Sequence, residues 1–240
     1  MLVQNHFIAK LTIHVLLFFC IIFSNLSLAA EKQPDVSVKK FVAMVGMMPN
    51  FFEENIYLLV NNNTKQAAII DPGNKSAEMH EYIQKNQITI SMIINTHGHH
   101  DHVGANEYYA KKYGVNVYIS ILDEDFYADY FSDSSVIKDI SRVEQIKFGD
   151  NIIKVIKNPG HTPGSVSFLI DDILFSGDTL FKGSIGRTWG VLDQKEKNKQ
   201  IEIANIKQKL MILPDATVVY PGHGESTTIG YERKNNPFLN

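Results

Sequence analysis

Residues 95–104 read NTHGHHDHVG and place four histidines and an aspartate within six consecutive positions, His97 to His102. A single histidine is most often a hydrogen-bonded structural residue. This chain holds only nine in 240 residues, so such a density asks for a shared ligand, and imidazole and carboxylate together suit a metal ion. Three more metal-capable side chains follow apolar runs: His161 in IKVIKNPGHTPGS, Asp178 in ILFSGDTLF and His223 in TVVYPGHGE. A glycine accompanies each of the four sites and lets the chain bend, so that distant loops can converge.

His97 and His99 lie two residues apart, so on extended backbone they point the same way and can share one ion. Asp101 and His102 follow as the chain turns into a helix and can face a second ion. Adding His161 to the first pair and His223 to the second gives each ion three protein ligands, and Asp178 can bridge both with its two oxygens. Such a set leaves room for water, which marks a catalytic rather than a structural site. Two ions roughly 3.5–4 Å apart lower the pKa of a shared water from 15.7 toward about 7, giving hydroxide without a serine or cysteine nucleophile. Asp101 and Asp178 are then catalytic as well as ligating, because they orient that hydroxide. Thr162, Ser176 and Thr179 can hydrogen-bond beside the ligands or simply cap turns.

Strands must carry these loops. VSVKKFVAMVG, NIYLLVNN and AAIIDPG show the alternation of sheet, and SMIIN at 91–95 reads as a buried strand running into the histidine cluster. Helices are expected over 75–86 and from Val103 to a stop at Gly114, then strand NVYIS, a helix near LDEDFYADYF and a looser segment to about 145. The second half offers strands IIKVIKN, SVSFLI, ILFSG and TVVYPG and one long helix over 195–212. Trp189 and the tyrosines of EYYAKKY are assigned to packing. Strands in two groups with helices appended predict an α/β protein built as a four-layer αββα sandwich.

The N-terminus differs from the rest. Lys10 precedes the apolar run LTIHVLLFFCIIF, and Ser27 and Ala29 fit a small-x-small cleavage site, so residues 1–30 read as a signal peptide and 31–240 as the catalytic domain. The expected location is secreted or periplasmic. The alternative is an uncleaved anchor, but a run of 13 residues containing His14 is short of the roughly 20 a membrane span needs, so no stable membrane insertion is expected after cleavage. Cleavage removes Cys20, the only cysteine, and leaves 22 basic and 26 acidic side chains, net −4. That excludes a disulfide framework and a cysteine nucleophile, and it offers no basic footprint for nucleic acid.

The run T-H-x-H-x-D-H-x-x-G, followed by G-H-T-P-G-S, S-G-D-T-L-F and P-G-H-G, resembles the metallo-β-lactamase superfamily. Within it the chain is similar to the glyoxalase II-like (hydroxyacylglutathione hydrolase-like) single-domain hydrolases, in order over residues 40–225. The resemblance implies the αββα fold, with His97, His99 and His161 on one metal, Asp101, His102 and His223 on the other, and Asp178 bridging. It implies two divalent ions, with zinc expected and iron or manganese as alternatives. His100 falls on a variable position and receives no ligand role. The implied reaction is cleavage of a thioester or ester, a small-molecule acyl substrate of the hydroxyacylglutathione type, by a metal-bridging hydroxide. Arg187, in GSIGRTW, is the candidate to meet a substrate carboxylate, or else it pins a loop. Only 17 residues follow His223, where glyoxalase II proper carries a glutathione-gripping helical domain, so the likeness is to the shorter members. Lactonases share Asp178, whereas secreted β-lactamases lack it. Persulfide dioxygenases would use His97, His161 and Asp178 for a single iron, but G-D-T-L-F favours a hydrolase.

Overall fold

Alternation along two neighbouring strands sets the layers. In β2 (Asn50–Asn61) and β3 (Gln66–Ile70), Ile56, Leu58, Val60, Ala67 and Ile69 face one side, and Tyr57, Leu59, Ala68 and Ile70 face the other. Both faces are apolar, so this sheet must be covered twice. The computed structural model describes residues 35–47 and 50–240. The expected signal peptide and its cleavage site lie outside the described residues.

The first sheet runs β1-β2-β3-β4-β5-β6, adding β1 (Val36–Met47), β4 (Thr89–Ile94), β5 (Val117–Ile119) and β6 (Ile137–Asp139). β1, β2 and β3 are antiparallel neighbours, and β3 to β6 are parallel. The second sheet has the order β14-β13-β10-β9-β8-β7. Its strands are β7 (Gln145–Phe148), β8 (Asn151–Lys157), β9 (Val166–Ile170), β10 (Ile173–Gly177), β13 (Val218–Pro221) and β14 (Thr227–Thr228). β11 (Leu180–Phe181) and β12 (Ser184–Ile185) form a separate hairpin. Between the sheets, Ile70, Ile94, Phe148, Phe168 and Phe175 are buried in one core, each contributing about 1.5–3 kcal/mol.

Helices cover both outer faces. α1 (Ala77–Lys85) and α3 (Asn106–Tyr113) place Met79, Ile83, Tyr109 and Ala110 on the first sheet. On the second, α5 (Leu192–Asn205) and the π turn that continues it, Ile206–Leu210, pack Ile206 and Leu210 on Leu174 and Val219. The four-layer αββα sandwich is therefore the observed fold. Among the described residues no helix is long and apolar enough to cross a membrane.

Several expectations on local structure change. The helix placed from Val103 to Gly114 begins earlier, as the single turn α2 (His100–Val103), and breaks before α3. The break is imposed from outside, since the Ala105 amide donates to Pro72 O at 2.9 Å and Gly104 abuts the Gly73 carbonyl. LDEDFYADYF forms only short turns around α4 (Glu124–Tyr127). The looser segment ends in β6 and β7, and α6 (Ile229–Asn235) follows β14 unanticipated.

Candidate metal centre

The loops that leave β4, β8, β10 and β13 meet at one end of the sandwich, where the two sheets are laced together. The Val166 amide donates to Thr96 O at 2.8 Å, the Asn55 amide to Gly222 O at 2.8 Å, and the Tyr57 hydroxyl to Pro221 O at 2.6 Å. Close approach here requires glycine. A Cβ at Gly222 would lie 2.3 Å from Asp178 Oδ1, and Gly177, at φ +52°, has Thr96 Oγ1 where a Cβ would sit.

Two groups of side chains result. His97 Nε2, His99 Nδ1 and His161 Nε2 form a triangle with sides of 3.1, 2.9 and 3.3 Å. For a nitrogen–metal distance of about 2.0–2.1 Å the edge of a tetrahedron is about 3.3 Å, so these nitrogens are spaced to share an ion. In the second group His102 Nε2 lies 3.6 Å and His223 Nε2 3.4 Å from Asp101 Oδ2. Asp178 stands between the groups: Oδ1 is 3.4 Å from His102 Nε2, and Oδ2 is 3.6 Å from His161 Nε2 and 3.5 Å from His223 Nε2. The donor chemistry fits metal binding. His102 Nε2 and Asp178 Oδ1 are buried without a hydrogen-bond partner among the described residues, and such orphaned atoms are costly unless something else engages them.

The far side of four of the five rings is fixed. His102 Nδ1 donates to Asp71 Oδ2 at 3.1 Å, His161 Nδ1 to Arg187 O at 2.6 Å and His223 Nδ1 to Glu53 O at 2.6 Å. Thr96 Oγ1 donates to Asp71 Oδ2 at 2.6 Å and so accepts from His97 Nδ1 at 3.2 Å. These bonds aim Nε2 of all four rings into the shared space. Burial, then neighbouring ring charges, keeps His97 well below the ordinary histidine value and pushes His99 down to about 4; burial also lowers His161. The three-histidine group is thus neutral, as metal ligation requires. Around Asp101, burial works against ionisation but is outweighed by the His223 hydrogen bond and the His102 charge, and the carboxyl falls to about 2. Asp178 is likewise held well below the carboxylate range by His102 against its burial. In turn, burial opposes protonation of His102 and His223, but the carboxylates prevail, raising His102 and carrying His223 to about 10.

All seven residues singled out as ligands come together here, and three subsets are close enough to hold an ion: His97, His99 and His161; His97, His102 and Asp178; and Asp101, His102 and His223. His100 stands apart, its side chain 53% exposed on the cleft wall. Arg187 is exposed at the same cleft, stacked 5.5 Å from the Trp189 ring centre. Trp189, assigned to packing, is instead 51% exposed and lines the cleft, because the 187–190 loop turns outward once the Arg187 carbonyl has engaged His161. Of the three hydroxyls, Ser176 caps Leu180 O at 2.7 Å and Thr162 donates to Asp123, so neither touches a ligand; Thr179 is buried.

Two carboxylates escaped the sequence reading. Asp71, in the DPG that ends AAIIDPG, sits at φ +50° and accepts from the Thr96 amide at 2.7 Å as well as from His102. Asp123 is fully buried and accepts from the Gly98 amide at 2.9 Å, the Gly164 amide at 2.6 Å and Thr162 Oγ1 at 2.7 Å. It therefore ties the loop of His97 to that of His161.

Comparison with known proteins agrees with this geometry. The profile of the Metallo-beta-lactamase superfamily matches residues 49–223. The chain is 32% identical to the probable metallo-hydrolase YqgX of Bacillus subtilis, over 78% of this chain and 93% of that one. It is 31% identical to the hydroxyacylglutathione hydrolase GloC of Haemophilus influenzae, over 79% and 94%. The solved structure of TTHA1623 in a di-iron-bound form superposes with a TM-score of 0.66 at 30% identity, covering 83% of this chain and all of that one.

Proposed function

The chain belongs to the metallo-beta-lactamase superfamily, and from that footing we propose that it is a two-metal hydrolase of thioesters or esters. The observation that carries this reading is the placement of Asp178 between two histidine-rich groups, with Oδ2 facing His161 of one and His223 of the other, and Oδ1 facing His102 and otherwise unpartnered. His97, His99 and His161 would hold one divalent ion, Asp101, His102 and His223 the other, with Asp178 shared. Zinc is the expected metal, with iron or manganese as alternatives, since histidine and carboxylate suit all three. When bound, such ions supply an acidified water and a Lewis acid for a carbonyl oxygen.

The protein's own residues do the remaining work. Asp101 and Asp178, both ionised, present acceptor oxygens that orient the attacking water toward the cleft. Asp71 and the carbonyls of Glu53 and Arg187 hold the histidine rings still, so little reorganisation is needed during reaction. Arg187 stands at the cleft mouth, free to meet a carboxylate of the substrate. The printed activity of the Haemophilus relative supports a thioester of the hydroxyacylglutathione type. We place the protein in a secreted or periplasmic setting, on the strength of its N-terminal sequence.

The test is hydrolysis of S-lactoylglutathione by the protein loaded with zinc, iron or manganese, beside Asp178→Ala. Cleavage that falls to background in the variant is expected. Metal-loaded protein that leaves the thioester intact would overturn the thioesterase reading.

A further inference from the structure

The cleft over the two ligand groups encloses about 1050 Å³, the scale of a small-molecule site. Its walls carry four aromatic rings that no ligand role explains. Phe126 meets His99 edge-on at 5.0 Å between centroids, and Trp189 meets the same ring at 6.1 Å. Across the cleft Phe52 lies 5.7 Å and Phe181 6.2 Å from His223. Phe126 and Trp189 are 43% and 51% exposed, and large apolar groups left facing solvent at a cleft mark a binding surface. Outside the ligand groups charge is balanced along the same walls: Lys182 and Arg187 stand against Glu53 and Glu225, and Lys182 is already paired with Glu225 at 2.5 Å. Arg187 alone has no carboxylate within ion-pair reach among the described residues. A cleft that offers one free cation amid aromatic rings is poorly matched to a small, strongly hydrated polar group.

We infer that the substrate carries an aromatic or bulky hydrocarbon group beside the scissile carbonyl, seated between Phe126 and Trp189. This rests on the hydrolase reading for the bond that breaks, but the aromatic wall can be tested separately. Trp189 is the chain's single tryptophan, so intrinsic fluorescence reports directly on that wall. The metal-loaded full chain is titrated with cyclohexylacetate and with lactate, both carboxylates and neither absorbing at the exciting wavelength. Cyclohexylacetate should shift the emission to the blue and saturate at a concentration roughly tenfold or more below lactate. In parallel, S-phenylacetylglutathione and S-lactoylglutathione, which share a leaving group, are compared by kcat/KM. The phenylacetyl thioester should lead by roughly tenfold or more, and Phe126→Ala should bring the ratio toward one. Equal saturation by the two acids, a preference for the lactoyl thioester, or a ratio untouched by Phe126→Ala would each overturn the inference. If neither thioester is cleaved while Trp189 still reports cyclohexylacetate, the thioesterase reading fails and the apolar subsite stands.

Discussion

Asp71 gathers four donors, the Thr96 amide, the Thr96 hydroxyl, His102 Nδ1 and Asn95 Nδ2, at 2.7, 2.6, 3.1 and 3.5 Å. Through them it sets the direction of His102 and, by way of Thr96, of His97. Replacing Asp71 with asparagine puts an amide N–H against at least one of these donors. We expect Asp71→Asn to lower metal affinity by about 10–100-fold and stability by about 1–3 kcal/mol. Competition with a chromophoric chelator, paired with urea unfolding, checks both, and unchanged affinity would contradict the role. The seven ligand candidates were legible in the sequence because so few side chains bind metal. Asp71 and Asp123 were not, because a carboxylate that serves backbone amides and histidine rings is written with the same letter as one that starts a turn.

Helix α5 shows how an element can carry a strained group into the fold. Glu202 is fully buried, neither carboxyl oxygen makes a well-formed hydrogen bond among the described residues although the Gly186 amide is near, and its side chain packs beneath Gly160 and Gly186 in the loops flanking His161 and Arg187. Burial pushes its carboxyl up to about 8, helped by the Asp178 charge and opposed by the Gly186 amide. In the unfolded chain a glutamate titrates near 4.3. Between those values the native state keeps a proton that the unfolded state has lost, so stability falls as pH rises from about 4.5 to about 8 and levels off above. Glu202→Gln removes that proton linkage. The variant should therefore gain about 1–3 kcal/mol over the parent at pH 8 and nothing comparable at pH 4.5, measured by urea unfolding at both. Parallel pH dependence in the two proteins would refute this. Most elements were legible from local pattern, since β2, β3 and β4 alternate or run apolar as buried strands must. The break at Gly104 and Ala105 was not, because it is set by Pro72 and Gly73 across the fold, which no local window contains.

The whole molecule divides the site between its sheets. His97, His99, Asp101 and His102 come from the loop after β4 of the first sheet and the turn α2 that continues it, while His161, Asp178 and His223 leave strands of the second. The sandwich was predictable from two groups of strands with helices appended, and the convergence of seven side chains from four separate segments at one end is what that architecture accomplishes. The aromatic wall of the cleft was not predictable, because Phe52, Phe126 and Trp189 have the composition of core residues and only their places at the cleft end of β2, on α4 and on the outward-turned 187–190 loop expose them. The most direct test of the account is a metal titration of the stripped protein, following bound ion per chain and thioester hydrolysis together. Two equivalents of one divalent metal should bind, with hydrolysis rising as the second is taken up; saturation at one equivalent with full activity would contradict a two-metal hydrolase.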